Sequence, residues 1–299
     1  MLREALRRRV RIVAGGDGRA PVQYLQPPGD PGLFGPDSQT WRVHADFPSM
    51  MVGGIGALVL QALHPLALAG VWDHSTFRQD LRGRLARTAR FIAETSYGSS
   101  AMAEQALARV RAIHTQVRGR HPDGREYRAD DPRLLYWVHL SETWSFLHAH
   151  RVFVDPHMPL EGRDRYFEEM ARIPLALGCV EQALPHARIA RGEQQAREDL
   201  LAYRDELDYS ERSRFVLDLL RHMPAADAPG GLQQLFVQAA LHELPDWAYP
   251  MLRMPAPSPL RREALRAAIR VLAQPLRWAL RDGVAAHARQ RMGRGRDPG

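Results

Sequence analysis

His114 is the first residue whose setting could serve chemistry. It stands on a predicted amphipathic helix, on the same apolar stripe as Val110, Ile113 and Val117. A neutral imidazole there can bind a metal through one ring nitrogen while the other nitrogen donates a hydrogen bond. The alternative is a core histidine whose hydrogen bonds are satisfied locally. The residues alone leave both interpretations open.

A second candidate group is the run Arg84-Leu-Ala-Arg-Thr88. Arg84 and Thr88 are four residues apart and share one face of a predicted helix, with Arg87 beside them. Leu81 and Phe91 make that face partly apolar, so an arginine on it could pair with a buried carboxylate or propionate. Alternatively, the arginine stems pack while their guanidinium groups reach water.

Trp137, His139 and Glu142 lie together on another predicted helix, which begins after Asp131-Pro132. His139 and Glu142 are three residues apart, so they could share a proton or a metal ion. Di-iron carboxylate bundles use the order Glu-x-x-His and repeat it on a second helix. Here the order is reversed and no second copy occurs, which leaves core packing or contact with a cofactor for Trp137 and His139.

His64 lies in the longest apolar stretch of the chain, since no charged residue occurs between Asp46 and Asp73. A stretch of this length can be a membrane span. Gln61 and Pro65, near its middle, favour instead two buried helices that break at His64-Pro65. A buried imidazole in such a setting needs a partner or a function.

Helices must position all of these groups, because apolar residues recur at helical spacing along most of the chain. The pattern predicts an all-α protein with one large helical domain at residues 31–290. A flexible leader at 1–30, rich in Gly, Pro and Asp, precedes it, and a disordered tail at 291–299 follows it. The sequence contains no βαβ spacing and no dinucleotide, phosphate-loop or hydrolase motif.

Composition narrows the class of protein further. The chain of 299 residues has a net charge of +7, and all 41 of its Lys-or-Arg residues are arginine. Most of these arginines are interleaved with acidic residues, so nucleic acid is not expected as a partner. A single cysteine excludes an intramolecular disulfide and a multi-cysteine metal site. The N-terminus has no apolar signal region, so we expect a cytoplasmic protein, with peripheral membrane contact through the Arg-rich N-terminus as an open alternative.

A set of ordered motifs across residues 30–250 resembles the MpaB/rubber-oxygenase (latex clearing protein-like) catalytic domain family, long known only as a domain of unknown function. The motifs are Gly32-Leu-Phe-Gly-Pro-Asp-Ser38, Trp41-Arg-Val-His-Ala-Asp46, Gly53-Gly54, Leu60-Gln-Ala-Leu-His-Pro65, Ala69-Gly-Val71, Arg84-Leu-Ala-Arg-Thr88, Tyr97-Gly98, His114-x-x-Val-x-Gly119 and Leu134-x-x-Trp-Val-His139.

The resemblance implies an all-α fold with a globin-like core that binds haem b and uses O₂. It implies that His114 is the axial iron ligand, and that Arg84, Arg87 and Thr88 lie on the distal side or at a propionate. His64 is a further candidate for the distal pocket. The family has a lysine where this chain has Arg87, and a guanidinium cannot take over iron ligation because it offers no lone pair.

Two functions from different classes follow from this reasoning. The first is a haem b-dependent oxygenase that acts with O₂ on a small apolar substrate, isoprenoid-like or acyl-like, inside the cell. The second is a non-catalytic α-helical protein that binds a lipid or another apolar ligand. The first requires an inward-facing ring at position 114 and an interior wide enough for a porphyrin.

Overall fold

The computed structural model describes residues 22–222, 232–281 and 283–293 of the chain. These residues form an all-α protein, as predicted, with one small antiparallel hairpin of strands β1 (Arg118–Arg120) and β2 (Glu126–Arg128). The α-helices, in chain order, are α1 (Gln39–His44), α2 (Phe47–Gln61), α3 (Pro65–His74), α4 (Leu81–Tyr97), α5 (Ser100–His114), α6 (Pro132–Phe153), α7 (Leu160–Met170), α8 (Arg172–Ala176), α9 (Glu193–Ala202), α10 (Glu211–Arg221), α11 (Leu232–His242), α12 (Ala248–Met251), α13 (Pro259–Ala279) and α14 (Val284–Arg291).

The charge-free stretch forms helices α2 and α3, and α2 packs against α6 at the centre of the fold. The two helices approach closely at Gly53. A Cβ atom added there would lie 2.8 Å from the carbonyl oxygen of Ser145 and 3.0 Å from Cα of Phe146. Since a real Cβ atom needs more room, the close packing of α2 on α6 requires glycine at this position.

The chain bends by 104° between α2 and α3, at the predicted break. His64 caps the new helix, because its Nδ1 accepts a 3.5 Å hydrogen bond from the backbone N–H of Ala67. Pro65 follows in the first turn, where a missing N–H costs nothing. Within the described residues, no single helix is long and apolar enough to cross a membrane, and only the bent pair α2–α3 passes that test, by length and composition.

Helices α4 and α5 form a hairpin that is anchored at its closed end. There Tyr97 donates a 2.8 Å hydrogen bond to the carbonyl of Trp41, and the guanidinium of Arg291 donates to the carbonyls of Tyr97 and Gly98. Toward its other end α4 is only partly covered, since none of its residues from 81 to 93 is buried. The hairpin is therefore held firmly at one end and loosely at the other.

The structure departs from the sequence predictions in several places. The composition of residues 119–131 predicts a polar loop, but the β hairpin of residues 118–128 overlaps this segment. Its three-residue strands are too short to show an alternating pattern. A helix over residues 259–290 is predicted to kink or break near Pro275; the break lies four residues later, after α13 ends at Ala279, and a kink at Pro275 stays a prediction. The carbonyl at Val271, which loses a donor at the proline, belongs to an exposed residue and can bind water.

Parts of the predicted leader at residues 1–30 and of the predicted tail at residues 291–299 are ordered elements of the fold. Residues 22–30 include a short 3-10 helix, Val22–Leu25, that packs on α14. Arg291, expected in a solvated tail, is only 3% exposed because its side chain donates to several backbone carbonyls. The rest of the leader and tail, residues 1–21 and 294–299, lies outside the described residues, and so does the Arg-rich N-terminus. The domain boundaries remain a prediction.

Candidate active site

One face of α4 is directed toward α6 and carries the predicted arginine group. Asp80 fixes the start of α4, since its Oδ1 accepts a 2.7 Å hydrogen bond from the N–H of Gly83. From there Arg84, Thr88 and Phe91 follow at intervals of four and three residues and lie on one face of the helix. The prediction that these side chains share one helix face is therefore confirmed.

A small cavity of about 20 Å³ lies where this face of α4 meets α6. That volume holds about one water molecule. Its walls are partly apolar and partly polar. The apolar residues are Phe34, Phe91, Ile92, Phe146, Met170 and Ile173, and the polar ones are His44, Thr95, Ser96, His139 and Glu142.

Glu142 is the acidic group of this cavity. Burial raises the pKa of its carboxyl group to about 7, against the opposing effects of Gln61 and Arg84. Gln61 Nε2 lies 3.4 Å from Glu142 Oε1 and donates to it, while Oε2 receives no hydrogen bond from any described residue. Glu142 can therefore take up or release a proton at Oε2 near neutral pH.

Arg84 is the cation that interacts with this carboxylate. Burial lowers the pKa of Arg84, and neighbouring Arg87 lowers it further, whereas Glu142 raises it. The guanidinium of Arg84 makes no hydrogen bond or ion pair with any residue in the described part of the chain. Since a half-buried guanidinium favours an acceptor, Arg84 is available to pair with an anionic group of a ligand.

His114 is the last residue of α5 and belongs to the same electrostatic group. Burial lowers its pKa and the charge of Arg84 lowers it further, against the effect of Asp130, so the ring is neutral at pH 7. Its Nδ1 is buried and has no hydrogen-bond partner among the described residues. The ring as a whole is half-buried, beside Ile113, which is 54% exposed. An unpartnered nitrogen on a neutral imidazole is the kind of donor that a metal ion takes.

His139 completes the cavity wall from α6. It is 9% exposed, and burial lowers its pKa to about 3, so it is neutral. Its Nε2 lies 3.4 Å from the hydroxyl oxygen of Thr143, and its ring stacks on Tyr136. His139 and Glu142 are one turn apart on α6, as predicted.

None of the motif residues Arg84, Arg87 and Thr88 lines the cavity, although Arg84 interacts electrostatically with Glu142 of its wall. The side chain of Arg87 is exposed, with Nη1 4.0 Å from Asp80 Oδ2 at the start of α4. The hydroxyl of Thr88 donates a 3.3 Å hydrogen bond to the carbonyl of Arg84. Arg87 thus faces solvent, whereas Thr88 helps to fix the backbone that carries Arg84.

His64 and Trp137 lie together on another side of α6. Their ring centroids are 6.2 Å apart, and Tyr203 packs against both. Residues 137 and 139 are two apart, which places them on opposite faces of a helix with 100° per residue. His64 Nε2 lies 3.6 Å from Glu206 Oε2, and that contact, together with Arg133, lowers the pKa of the Glu206 carboxyl group. The structure therefore separates His64 and Trp137 from Arg84, His139 and Glu142.

His44 is a cavity residue that the sequence analysis did not select. Its Nδ1 lies 2.7 Å from Ser96 Oγ and its Nε2 lies 2.9 Å from the hydroxyl of Tyr166. Burial lowers its pKa to about 3, so the ring is neutral and both nitrogens are used in the fold. Helix α1 is only six residues long, which is too short for a periodic pattern to mark one of its faces.

The donor set of this site fits an iron porphyrin, but the cavity volume does not. His114 offers an unpartnered imidazole nitrogen, and Arg84 offers free donors for a propionate. The enclosed space of about 20 Å³ is far below the roughly 300–1,000 Å³ of small-molecule sites. Within residues 22–222, 232–281 and 283–293, no three His, Cys, Asp or Glu residues are placed to share a metal ion.

Residues 41–278 match the family model for "ER-bound oxygenase mpaB/B'/Rubber oxygenase, catalytic domain". The match covers most of the chain and includes α2 to α6 and every cavity-lining residue except Phe34. No curated protein and no solved structure matches the chain.

Proposed function

Since this chain belongs to the mpaB/B' and rubber oxygenase catalytic-domain family, we propose that it is a haem b-dependent oxygenase that acts with O₂ on a small apolar substrate. Family membership supports the oxygenase activity. The observation that carries the cofactor assignment is the buried, unpartnered Nδ1 of His114 in the electrostatic neighbourhood of the unpaired guanidinium of Arg84.

His114 and Arg84 have separate roles in this proposal. When bound, haem supplies the activation of O₂. His114 would hold the iron as a neutral imidazole, because burial and Arg84 both suppress its protonation. Arg84 would pair with a propionate, since no described residue accepts a hydrogen bond from its guanidinium.

Glu142 and the apolar wall act on the substrate side. The carboxyl group of Glu142, with a pKa raised to about 7, can hold or release a proton at Oε2, the oxygen that Gln61 does not contact. Phe91, Ile92 and Phe146 form part of the apolar portion of the cavity wall. Such a portion favours an apolar group of a substrate, while Glu142 is the lining residue whose carboxyl group can exchange a proton near neutral pH.

The proposal requires α4 to move away from α6, because the cavity is too small for a porphyrin. The structure of α4 permits such a movement. Its residues 81–93 are not buried, whereas residues 94–97 are buried and anchor the hairpin. A displacement of the loosely held end would widen the cavity and leave the anchored end in place.

The first experiment is a haemin titration of the full-length protein, followed by its Soret absorption. The wild-type protein should bind haemin at one site, and His114→Ala should remove the imidazole that would bind the iron, with a shifted Soret band and affinity lowered at least tenfold. His157→Ala, which changes an exposed histidine, is the matched control and should bind as the wild type does. A wild-type protein that takes up no haemin, or unchanged spectra for His114→Ala, would refute the proposal. Copurified lipid in a protein without haemin uptake would favour the apolar-ligand carrier.

The second experiment compares the two arginines of the motif. Arg84→Gln should lower the affinity for haemin by about 10- to 100-fold, because a charge-assisted hydrogen bond of about 1.5–3 kcal/mol is lost. Arg87→Gln changes an exposed residue on the same helix and should leave the affinity unchanged. Equal effects of both variants would show that Arg84 has no specific partner on the ligand.

A further inference from the structure

Helix α13 carries exposed apolar side chains on its outer face. Leu260 is 82% exposed, Val271 70% and Trp278 42%. Exposed Ala264, Ala267 and Pro275 lie between them. All six residues recur at intervals of three or four and therefore form one continuous stripe about 27 Å long.

The opposite face of α13 is buried and attaches the helix to the core. Ile269 and Ala273 are 1% exposed and Leu276 is 6% exposed. This face packs on α11, α2 and α6. Leu260 and Val271 of the outer stripe thus lie on the side of α13 away from its contacts with the described core. Large exposed apolar stripes of this kind mark interaction surfaces.

Positive charge borders the stripe. Arg261 and Arg270 lie about 80–100° from its centre, one on each side, and Arg281 follows its C-terminal end. None of the three forms an ion pair with any residue that the structure describes, and Arg270 donates only to the carbonyl of Val152, at 2.9 Å. The nearby acidic residue, Glu263, pairs with Arg266 at 2.6 Å, and Arg266 also pairs with the buried carboxylate of Glu243.

We infer that the outer face of α13 docks on an anionic phospholipid surface. An apolar stripe with a cationic border buries its side chains at the acyl boundary while the arginines meet anionic headgroups. Trp278 at one end of the stripe is a residue type enriched at that interface. This inference uses none of the residues of the haem proposal and stands apart from it.

A second copy of the chain fits this face less well. A symmetric contact would bring the same surface of both copies together. It would therefore place the uncompensated arginines of one border next to those of the other. Like charges at a shared interface are unfavourable, whereas an anionic bilayer offers the opposite charge.

The test is cosedimentation of the full-length protein with phosphatidylcholine vesicles, with and without phosphatidylserine. The wild type should bind the anionic vesicles, more weakly at high salt, and bind the neutral ones poorly. Arg261→Gln combined with Arg270→Gln should lower the partition coefficient about 25-fold, or roughly fivefold per arginine. Arg197→Gln combined with Arg214→Gln removes the same charge elsewhere on the surface and should have a much smaller effect.

The apolar contribution has its own pair of variants. Leu260→Glu combined with Val271→Glu should abolish binding, whereas Val22→Glu combined with Leu160→Glu, at residues 59% and 54% exposed, makes the same charge change and should retain most of it. Unchanged thermal unfolding would confirm that the variants fold. Equal binding by both pairs, or equal binding to neutral vesicles, would overturn the inference. A wild-type dimer in gel filtration that the stripe variants dissociate would do so too, since a second copy would then cover the stripe.

Discussion

Helix α6 lies between two regions that differ in how closely their helices pack on it. On one side α2 and α9 pack closely on it, and Asp199 of α9, which is fully buried, accepts hydrogen bonds from Tyr136 and His186. On the other side α4 leaves Arg84 and one oxygen of Glu142 without hydrogen bonds from described residues. Buried polar groups that are paired hold a fold together. His64 Nε2 and Trp137 Nε1 on the packed side are also buried without a hydrogen-bond partner among the described residues, so looser packing beside Arg84 and Glu142, rather than pairing alone, distinguishes the candidate site.

The largest change in the free energy of unfolding is expected from removing the buried carboxylate of Asp199, on the side of α6 where α9 packs. Asp199→Ala leaves Tyr136 without its acceptor and should lower the free energy of unfolding by about 3–5 kcal/mol. Asp218→Ala removes an exposed carboxylate 4.0 Å from Arg221 and should cost about 0.5 kcal/mol or less. Urea unfolding of the two variants measures both values. Similar losses would mean that the two sides of α6 do not differ as described.

A smaller effect is expected at the contact between α2 and α6. Gly53→Ala places a Cβ atom 2.8 Å from the carbonyl oxygen of Ser145, so a backbone must shift and stability should fall by about 1–3 kcal/mol. At Gly54 the new Cβ atom would lie 3.6 Å from Phe146, an ordinary contact. Gly54→Ala should therefore be neutral or stabilise the helix by about 0.5–1 kcal/mol. Thermal unfolding of both variants compares them, and the same sign at both positions would contradict the close approach.

The smallest change in the free energy of unfolding is expected at Glu142, on the side of α6 that faces α4, and it depends on pH. The pKa of Glu142 is raised to about 7 from a usual value of 4.5. Between these values the folded protein binds a proton that the unfolded chain does not, so the free energy of unfolding falls as pH rises from about 4.5 to about 7. Glu142→Gln removes this contribution, which we expect to be on the order of 1 kcal/mol because the side chain is partly exposed.

Urea unfolding of wild type and Glu142→Gln on either side of that pH window measures the difference. Glu161→Gln changes an exposed glutamate of α7 and should follow the wild type at both pH values. A difference between wild type and Glu142→Gln that does not change with pH would show that the Glu142 carboxyl group is not desolvated in the folded protein.

Much of the local structure could be predicted from the sequence. Helical periodicity placed Arg84 and Thr88 on one face of α4 and His139 and Glu142 on one face of α6, because both features depend on 3.6 residues per turn. The break at His64-Pro65 followed from proline chemistry. The β hairpin and the burial of Arg291 could not be predicted, because strands of three residues have no usable period and Arg291 is buried only through contacts distant in the chain.

The sequence by itself determined the all-α class, the family, and which candidate side chains share a helix face, since each of these depends on local spacing or on ordered motifs. Only the tertiary structure decided that Arg84 interacts with Glu142, 58 residues further along the chain, and that His64 and Trp137 lie elsewhere. It also decided how much space separates α4 from α6. A helix period fixes the direction of a side chain on its own helix, whereas the packing of helices decides what that side chain meets.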